Sequence, residues 1–180
     1  MVLRILPLLT HEFRGKLAPI RTIPHSLRMD LDETDLRLLD AVQKDAQLTS
    51  DKLGALLNLS ASQVGRRRQR LETSGVIKRY CARLDPQKLG LTVEAFVHVH
   101  MATHAADAAQ SFARLAATRR EIISAWTLTG DADYLLRVYC DDLRGLNILI
   151  HEVLLPHPSV ARVQSQIVMD HLKDDAPLPT

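Results

Sequence analysis

Two hydrophobic periods run along this chain, one helical and one strand-like, and they change over near Asp85-Pro86. Upstream, Leu36, Leu39 and Val42 recur at helical spacing after Thr34, a residue suited to capping, so a first helix is predicted over about 34–44. A second follows Thr49, with Leu48 as its hydrophobic staple and Leu53, Leu56 and Leu57 as its buried stripe. Asn58 stands where a chain leaving a helix often needs a left-handed residue, which asparagine tolerates. Ser60, with Gln63 three residues on, makes a capping-box pattern for a third helix stapled by Leu59 and Val64, with Val64 and Leu71 facing the core. Gly75 ends that helix, and residues 76–80 alternate as a short strand would.

Downstream, Val93, Ala95, Val97 and Val99 alternate with Glu94, Phe96, His98 and His100, which predicts a strand. Residues 105–117 are alanine-rich, with Phe112 and Leu115 on one side, and read as a helix. Strands over 122–129 and 133–140 meet through the turn Thr129-Gly130-Asp131-Ala132. Leu143, Leu146, Ile150 and Val153 mark a second helix, and 160–169 a last strand. The order β-α-β-β-α-β is the ferredoxin-like split motif, whose sheet has helices on one face only. Its other face carries either the Val93/Val97/Val99 set or the Phe96/His98 set. Either leaves apolar surface that a second copy would cover, and a dimer would supply two reading helices for symmetric half-sites.

The predicted class is therefore α+β: a winged helix-turn-helix over 30–80, a linker over 81–90, a ferredoxin-like domain over 91–172 and a tail over 173–180. Residues 1–29 hold five bases against Glu12 alone, with Pro19 and Pro24. They are read as a flexible basic extension, either an arm adding phosphate attraction or an unstructured lead-in to Met29. The opening MVLRILPLL faintly resembles a secretory leader, but its apolar run is too short for a span, contains Pro7 and lacks a cleavage pattern. Two cysteines, Cys81 and Cys140, are too few for a disulfide framework or a four-ligand zinc site. These features place the chain in the cytoplasm, with no membrane partner.

Charge matters here by position. The formal net charge is only +2, yet Arg66, Arg67, Arg68, Arg70, Lys78 and Arg79 crowd into fourteen positions. Ser62, Gln63, Arg66, Arg67 and Arg70 lie on or beside the outward face of the third helix, and Lys78 and Arg79 on the expected wing. Such a helix can put hydroxyl, amide and guanidinium groups onto base edges and cations against phosphates. Arginines alone are more often merely solvated; their place on the second helix of a capped helix-turn-helix favours nucleic acid. Arg68 falls near the buried stripe, where it either reaches a phosphate or packs its stem over the core edge.

Other chemistries find less support. His98, His100 and His104 lack a carboxylate or cysteine at compatible spacing, so no metal site is expected. Asp141-Asp142 precedes a helix and reads as a cap. No glycine-rich phosphate loop, nucleophile elbow or HExxH motif occurs, so no enzyme and no cofactor is expected. A structural oligomer whose helices serve protein contacts is the non-enzymatic alternative, and the arginine-bearing helix stands against it.

Three segments together, 31–60, the VGRRRQRLETSGVIKRY run at 64–80, and LTGDADYLLRV at 128–138, resemble the leucine-responsive regulator and AsnC family of bacterial and archaeal transcription factors. The resemblance covers about residues 30–172. It implies a DNA-binding regulator that contacts duplex DNA through Ser60, Ser62, Gln63, Arg66, Arg67 and Arg70, with Gly75, Val76 and Ile77 turning into the wing. It implies homodimers formed through the sheets, assembling to octamers, and an amino-acid effector held between dimers near Thr129, Gly130, Asp131, Asp133 and Tyr134. In the residues themselves, Gly130 exposes backbone and Asp131 or Asp133 can pair with an ammonium; the same stretch also reads as a plain polar hairpin. Trp126 reads as a core or interface anchor. Arg68 departs from the family, which often has valine or isoleucine there.

Overall fold

A computed structural model of the chain describes residues 30–180; the expected basic extension over 1–29 and its leader-like opening lie outside them. The described residues form two compact units, 30–82 together with 175–180, and 83–174.

The first unit is helical. α1 spans Glu33–Lys44, α2 Ser50–Leu57 and α3 Ala61–Thr73. The cap of α1 is Asp32 and not the expected Thr34: the Asp32 side chain accepts from the Asp35 N–H, and the Asp35 carboxylate accepts from the Asp32 N–H. A carboxylate at the cap also faces the positive end of the helix dipole, which a threonine hydroxyl cannot match. Thr49 caps α2, and Ser60 with Gln63 makes a full capping box on α3. Asn58 sits at φ 56°, ψ 44° in the left-handed region and turns the chain between α2 and α3.

The core of this unit is Leu38, Leu39, Val42, Leu53, Leu57, Val64 and Leu71. Leu56 is exposed, against expectation, and Gly54 takes the buried position. The backbone approaches closely at Gly54: a Cβ there would stand 2.6 Å from the Leu59 carbonyl oxygen, so any side chain at 54 would push the turn away. Residues 76–80 form no strand. No second strand exists among the described residues of this unit to pair with one, and an unpartnered strand leaves its backbone groups without partners. Gly75, at φ 78°, turns the chain back instead, and the Ile77 N–H donates to the Leu71 carbonyl at 3.1 Å, which brings Ile77 onto the helical core.

The second unit is a four-stranded antiparallel sheet with helices on one face. Its elements are β1 Val93–Met101, α4 Ala106–Thr118, β2 Ile122–Thr127, β3 Tyr134–Cys140, α5 Leu143–Ile148 and β4 Val160–Ile167. The strand order β2-β3-β1-β4 is that of the split β-α-β motif. α5 continues over Leu149–Leu154 as a wider π-type turn. Val93, Ala95, Val97 and Val99 pack with Phe112, Leu136, Val138, Leu146, Leu149 and Leu154 beneath the helices. This settles which set faces outward: Phe96 and His98 are on the open face. Register places Trp126, Leu135, His98 and Gln164 in one row across it, and Ser124, Arg137, Phe96 and Gln166 in the next. No helix among the described residues is long and apolar enough to cross a membrane.

Candidate nucleic-acid interface and effector loop

α3 packs on α2 and is tied to α1 by ion pairs. Asp35 occupies a fully buried place in the stripe Asp35, Leu38, Leu39, Val42, where a carboxylate is tolerated only if it is paired. Arg67 donates to its Oδ1 at 2.8 Å, and Arg70 donates to its Oδ2. Arg67 also reaches Asp32 at 2.6 Å. That hydrogen bond, with one from the Asp35 backbone, holds the Asp32 carboxyl below its ordinary 3.8, and the two carboxylates in turn raise Arg67. Two arginines of α3 thus spend hydrogen bonds inside the protein.

Arg68 packs as well. Its guanidinium donates to the Ala46 and Leu48 carbonyls at 3.3 Å, to the Tyr80 hydroxyl at 2.9 Å and to Glu72 at 3.3 Å, and lies 4.7 Å from the Tyr80 ring centroid. It binds the turn before α2 to the chain leaving α3. Ser60 and Gln63 are engaged in their cap: Gln63 Oε1 accepts from the Ser60 N–H at 2.9 Å and from its hydroxyl at 3.0 Å. Ser62, Arg66, Lys78 and Arg79 are exposed. With about 100° per residue, Ser62, Arg66, Gln69 and Thr73 form a narrow stripe directly opposite the buried Val64 and Leu71.

In the second unit, the loop 128–133 is held from inside. Asp133 Oδ2 accepts from the Met101 N–H at 2.7 Å, the Asp133 N–H donates to the Val99 carbonyl at 3.0 Å, and its carbonyl accepts from the Leu128 N–H at 2.9 Å. His104 Nδ1 lies 3.4 Å from the other Asp133 oxygen. Asp131 meets Arg162 at 3.2 Å, and Arg162 also donates to His100 Nε2 at 3.0 Å, leaving His100 Nδ1 to donate to the Asp131 carbonyl at 3.1 Å. Tyr134 is half-buried and packs on Phe112, ring centroids 4.8 Å apart. Thr129, Gly130 and Asp131 are exposed, with Gly130 at φ 131°.

A cavity of about 600 Å³ opens elsewhere on the sheet unit, lined in part by Arg83, Glu94, Arg137, Tyr139 and His171. Glu94 lies between Arg137 Nε at 2.6 Å and His171 Nε2 at 2.6 Å. Burial works to raise its pKa, but hydrogen bonds from Tyr139, Arg137 and His171 outweigh it and bring the carboxyl below its ordinary 4.5. The hydrogen bond to Glu94 raises His171 above 6.5.

Residues 31–72 match the AsnC-type helix-turn-helix domain, and residues 94–178 match the Lrp/AsnC ligand binding domain. The chain belongs to the Lrp/AsnC family. The glutamate uptake regulatory protein of Zymomonas mobilis is 34% identical over 83% of this chain and 90% of its own length. The DNA-binding transcriptional activator DecR of Escherichia coli is 30% identical over 83% of this chain and 98% of its own. Among solved structures, a transcriptional regulator of Neisseria meningitidis in complex with L-methionine superposes with a TM-score of 0.80 at 34% identity, covering 83% of this chain and 96% of that one.

As an Lrp/AsnC protein the chain is a DNA-binding transcriptional regulator and not an enzyme. Its helix-turn-helix divides the eight residues expected at DNA into three groups: Ser62, Arg66, Lys78 and Arg79 on the surface, Ser60 and Gln63 in the cap, and Arg67 and Arg70 on Asp35. Sequence reasoning missed Asp35. The signal was available: Asp35 begins a 35, 38, 39, 42 series at helical spacing, which places a carboxylate on a core stripe in a chain with spare arginines.

Proposed function

We propose that this regulator reads duplex DNA sequence-specifically through α3 and that an amino acid bound beside the loop 129–134 changes how its dimers associate. The observation that carries the DNA reading is the division of labour on α3. The arginines nearest the core are tied to acidic and carbonyl groups, which locks the helix, while Arg66 and Ser62 face outward on one stripe. Lys78 and Arg79, exposed beyond the helix, supply phosphate contacts. Arg67 and Arg70 hold the helix at its angle, and Arg70 keeps donors for a phosphate; Ser60 and Gln63 shape the helix start, and the Gln63 amide N–H groups remain for DNA.

For the effector, the L-methionine bound to the Neisseria relative supports an amino acid. Thr129, Gly130 and Asp131 form the exposed contact surface, with the Asp131 carboxylate for an ammonium; Asp133 and Tyr134 set its shape from behind. The open sheet face, with Phe96, Leu135 and Trp126, is the surface a second copy covers in a homodimer, and dimers assemble further to octamers in the cytoplasm. Effector binding at the loop shifts that assembly equilibrium and with it the spacing of the reading heads.

Gel-shift titration of the protein's own promoter region against random duplex, at two salt concentrations, tests the DNA reading. Affinity falls steeply with salt for both, and the promoter region retains an advantage. Equal affinity for the two sinks sequence-specific reading. Calorimetry with a panel of L-amino acids tests the loop: Asp133→Asn weakens the heat signal and leaves DNA affinity unchanged, and an unaltered titration moves the effector elsewhere.

A further inference from the structure

We propose that Gln69 is a base-reading residue that takes the adenine of an A·T pair through its side-chain amide, one helical turn beyond Arg66. The proposal rests on the sequence-specific reading above and adds the residue and the base.

Three observations converge on it. Gln69 lies on the outward stripe of α3 between Arg66 and Thr73, opposite Val64 and Leu71, so a groove that admits the helix faces it directly. It is exposed, and its amide has no hydrogen-bond partner among the described residues. With Arg66, Arg70, Thr73 and Ser74 it forms a shallow polar surface open to solvent along the helix.

The chemistry then separates the two glutamines of α3. Adenine offers an acceptor at N7 and a donor at N6, and only an amide with both its oxygen and its N–H free can meet both. The Gln63 oxygen already accepts two hydrogen bonds from Ser60. Gln63 can therefore donate but cannot make the paired contact, whereas Gln69 can. The arginines separate in the same way: Arg67, Arg68 and Arg70 are engaged, and Arg66 is left to take guanine O6 and N7. Three residues of helix advance about 4.5 Å, a little more than the roughly 3.4 Å step between base pairs, so the two contacts fall one or two pairs apart.

Selection from a randomised duplex pool, with the full chain and sequencing of the bound fraction, tests this. The wild type enriches a half-site holding a G·C and an A·T pair one or two steps apart. Gln69→Ala loses roughly ten- to hundredfold preference at the A·T position alone, and Arg66→Ala loses it at the G·C position alone. Alanine favours the helix, and an unchanged far-UV circular dichroism spectrum checks that Gln69→Ala is folded. An identical profile for Gln69→Ala overturns the proposal, as does an equal loss of affinity on every sequence, which marks a phosphate contact. A featureless wild-type profile is a different failure and removes the sequence-specific reading itself.

Discussion

Replacing Asp35 with alanine removes the carboxylate that joins α1 to α3, and the structure allows the cost to be worked out. The carboxylate is fully buried and accepts from Arg67, Arg70 and the Asp32 N–H. Breaking a buried pair by deleting one partner costs about 3–5 kcal/mol when the other is left dry. Here the arginines are not left dry: their side chains are 28% and 48% exposed, and Arg67 keeps Asp32 at 2.6 Å. Rehydration offsets roughly half of that penalty, while loss of the reciprocal cap adds about 0.5–1 kcal/mol. The expected loss is about 2–3.5 kcal/mol, which is roughly a thirty- to three-hundredfold drop in protection. Native-state hydrogen exchange at the amides of α1 and α3 reads it within the helical unit, independently of the sheet. The double variant Arg67→Ala, Arg70→Ala is expected to cost at least as much, because it removes both cations and leaves the Asp35 carboxylate only the Asp32 N–H as a partner. Protection in Asp35→Ala within about 0.5 kcal/mol of wild type, the scatter of ordinary surface changes, refutes the argument, as does a double variant that is milder than Asp35→Ala.

Gly54→Ala places a Cβ 2.6 Å from the Leu59 carbonyl oxygen, so about 1–3 kcal/mol of overpacking is expected in the same exchange measurement, and wild-type protection would refute the close approach. Cys140 is buried, and that burial pushes its thiol up to about 11, whereas Cys81 is exposed; alkylation at pH 8 modifies Cys81 at once and Cys140 only after denaturation, as peptide mapping will show. Glu94 and His171 stabilise the sheet unit over different ranges. Because Glu94 titrates below 4.5 when folded, its contribution is present above that value and lost as pH falls through the folded pKa; because His171 titrates above 6.5, its contribution is present below that value and lost as pH rises through the folded pKa. Imidazole titration by NMR therefore finds a His171 midpoint above 6.5 that moves down in Glu94→Gln, and a midpoint indifferent to that change breaks the assigned pair.

The sequence by itself determined the elements whose causes are local. The caps at Thr49 and Ser60, the left-handed Asn58, the turn at Gly75 and the alternation from Val93 to Val99 all act between residues a few positions apart, and each stands where its pattern placed it. The β-α-β-β-α-β order followed, because a change of period marks each element boundary. Only the tertiary structure decided how the polar groups are spent. Arg67 and Asp35 are 32 residues apart, and Arg68 meets a carbonyl 22 residues away, so no local pattern reveals that these arginines are engaged while Arg66 is exposed. The same limit applies to Leu56, which helical spacing puts inside but which is exposed while Gly54 is buried, and to residues 76–80, whose alternation suits a strand that finds no partner strand among the described residues of its unit. It also explains the sheet, where both candidate faces carried apolar residues and only the packing of Phe112, Leu146 and Leu154 against the valines showed which one is covered. A period tells which residues share a face; what that face meets depends on chain brought from elsewhere.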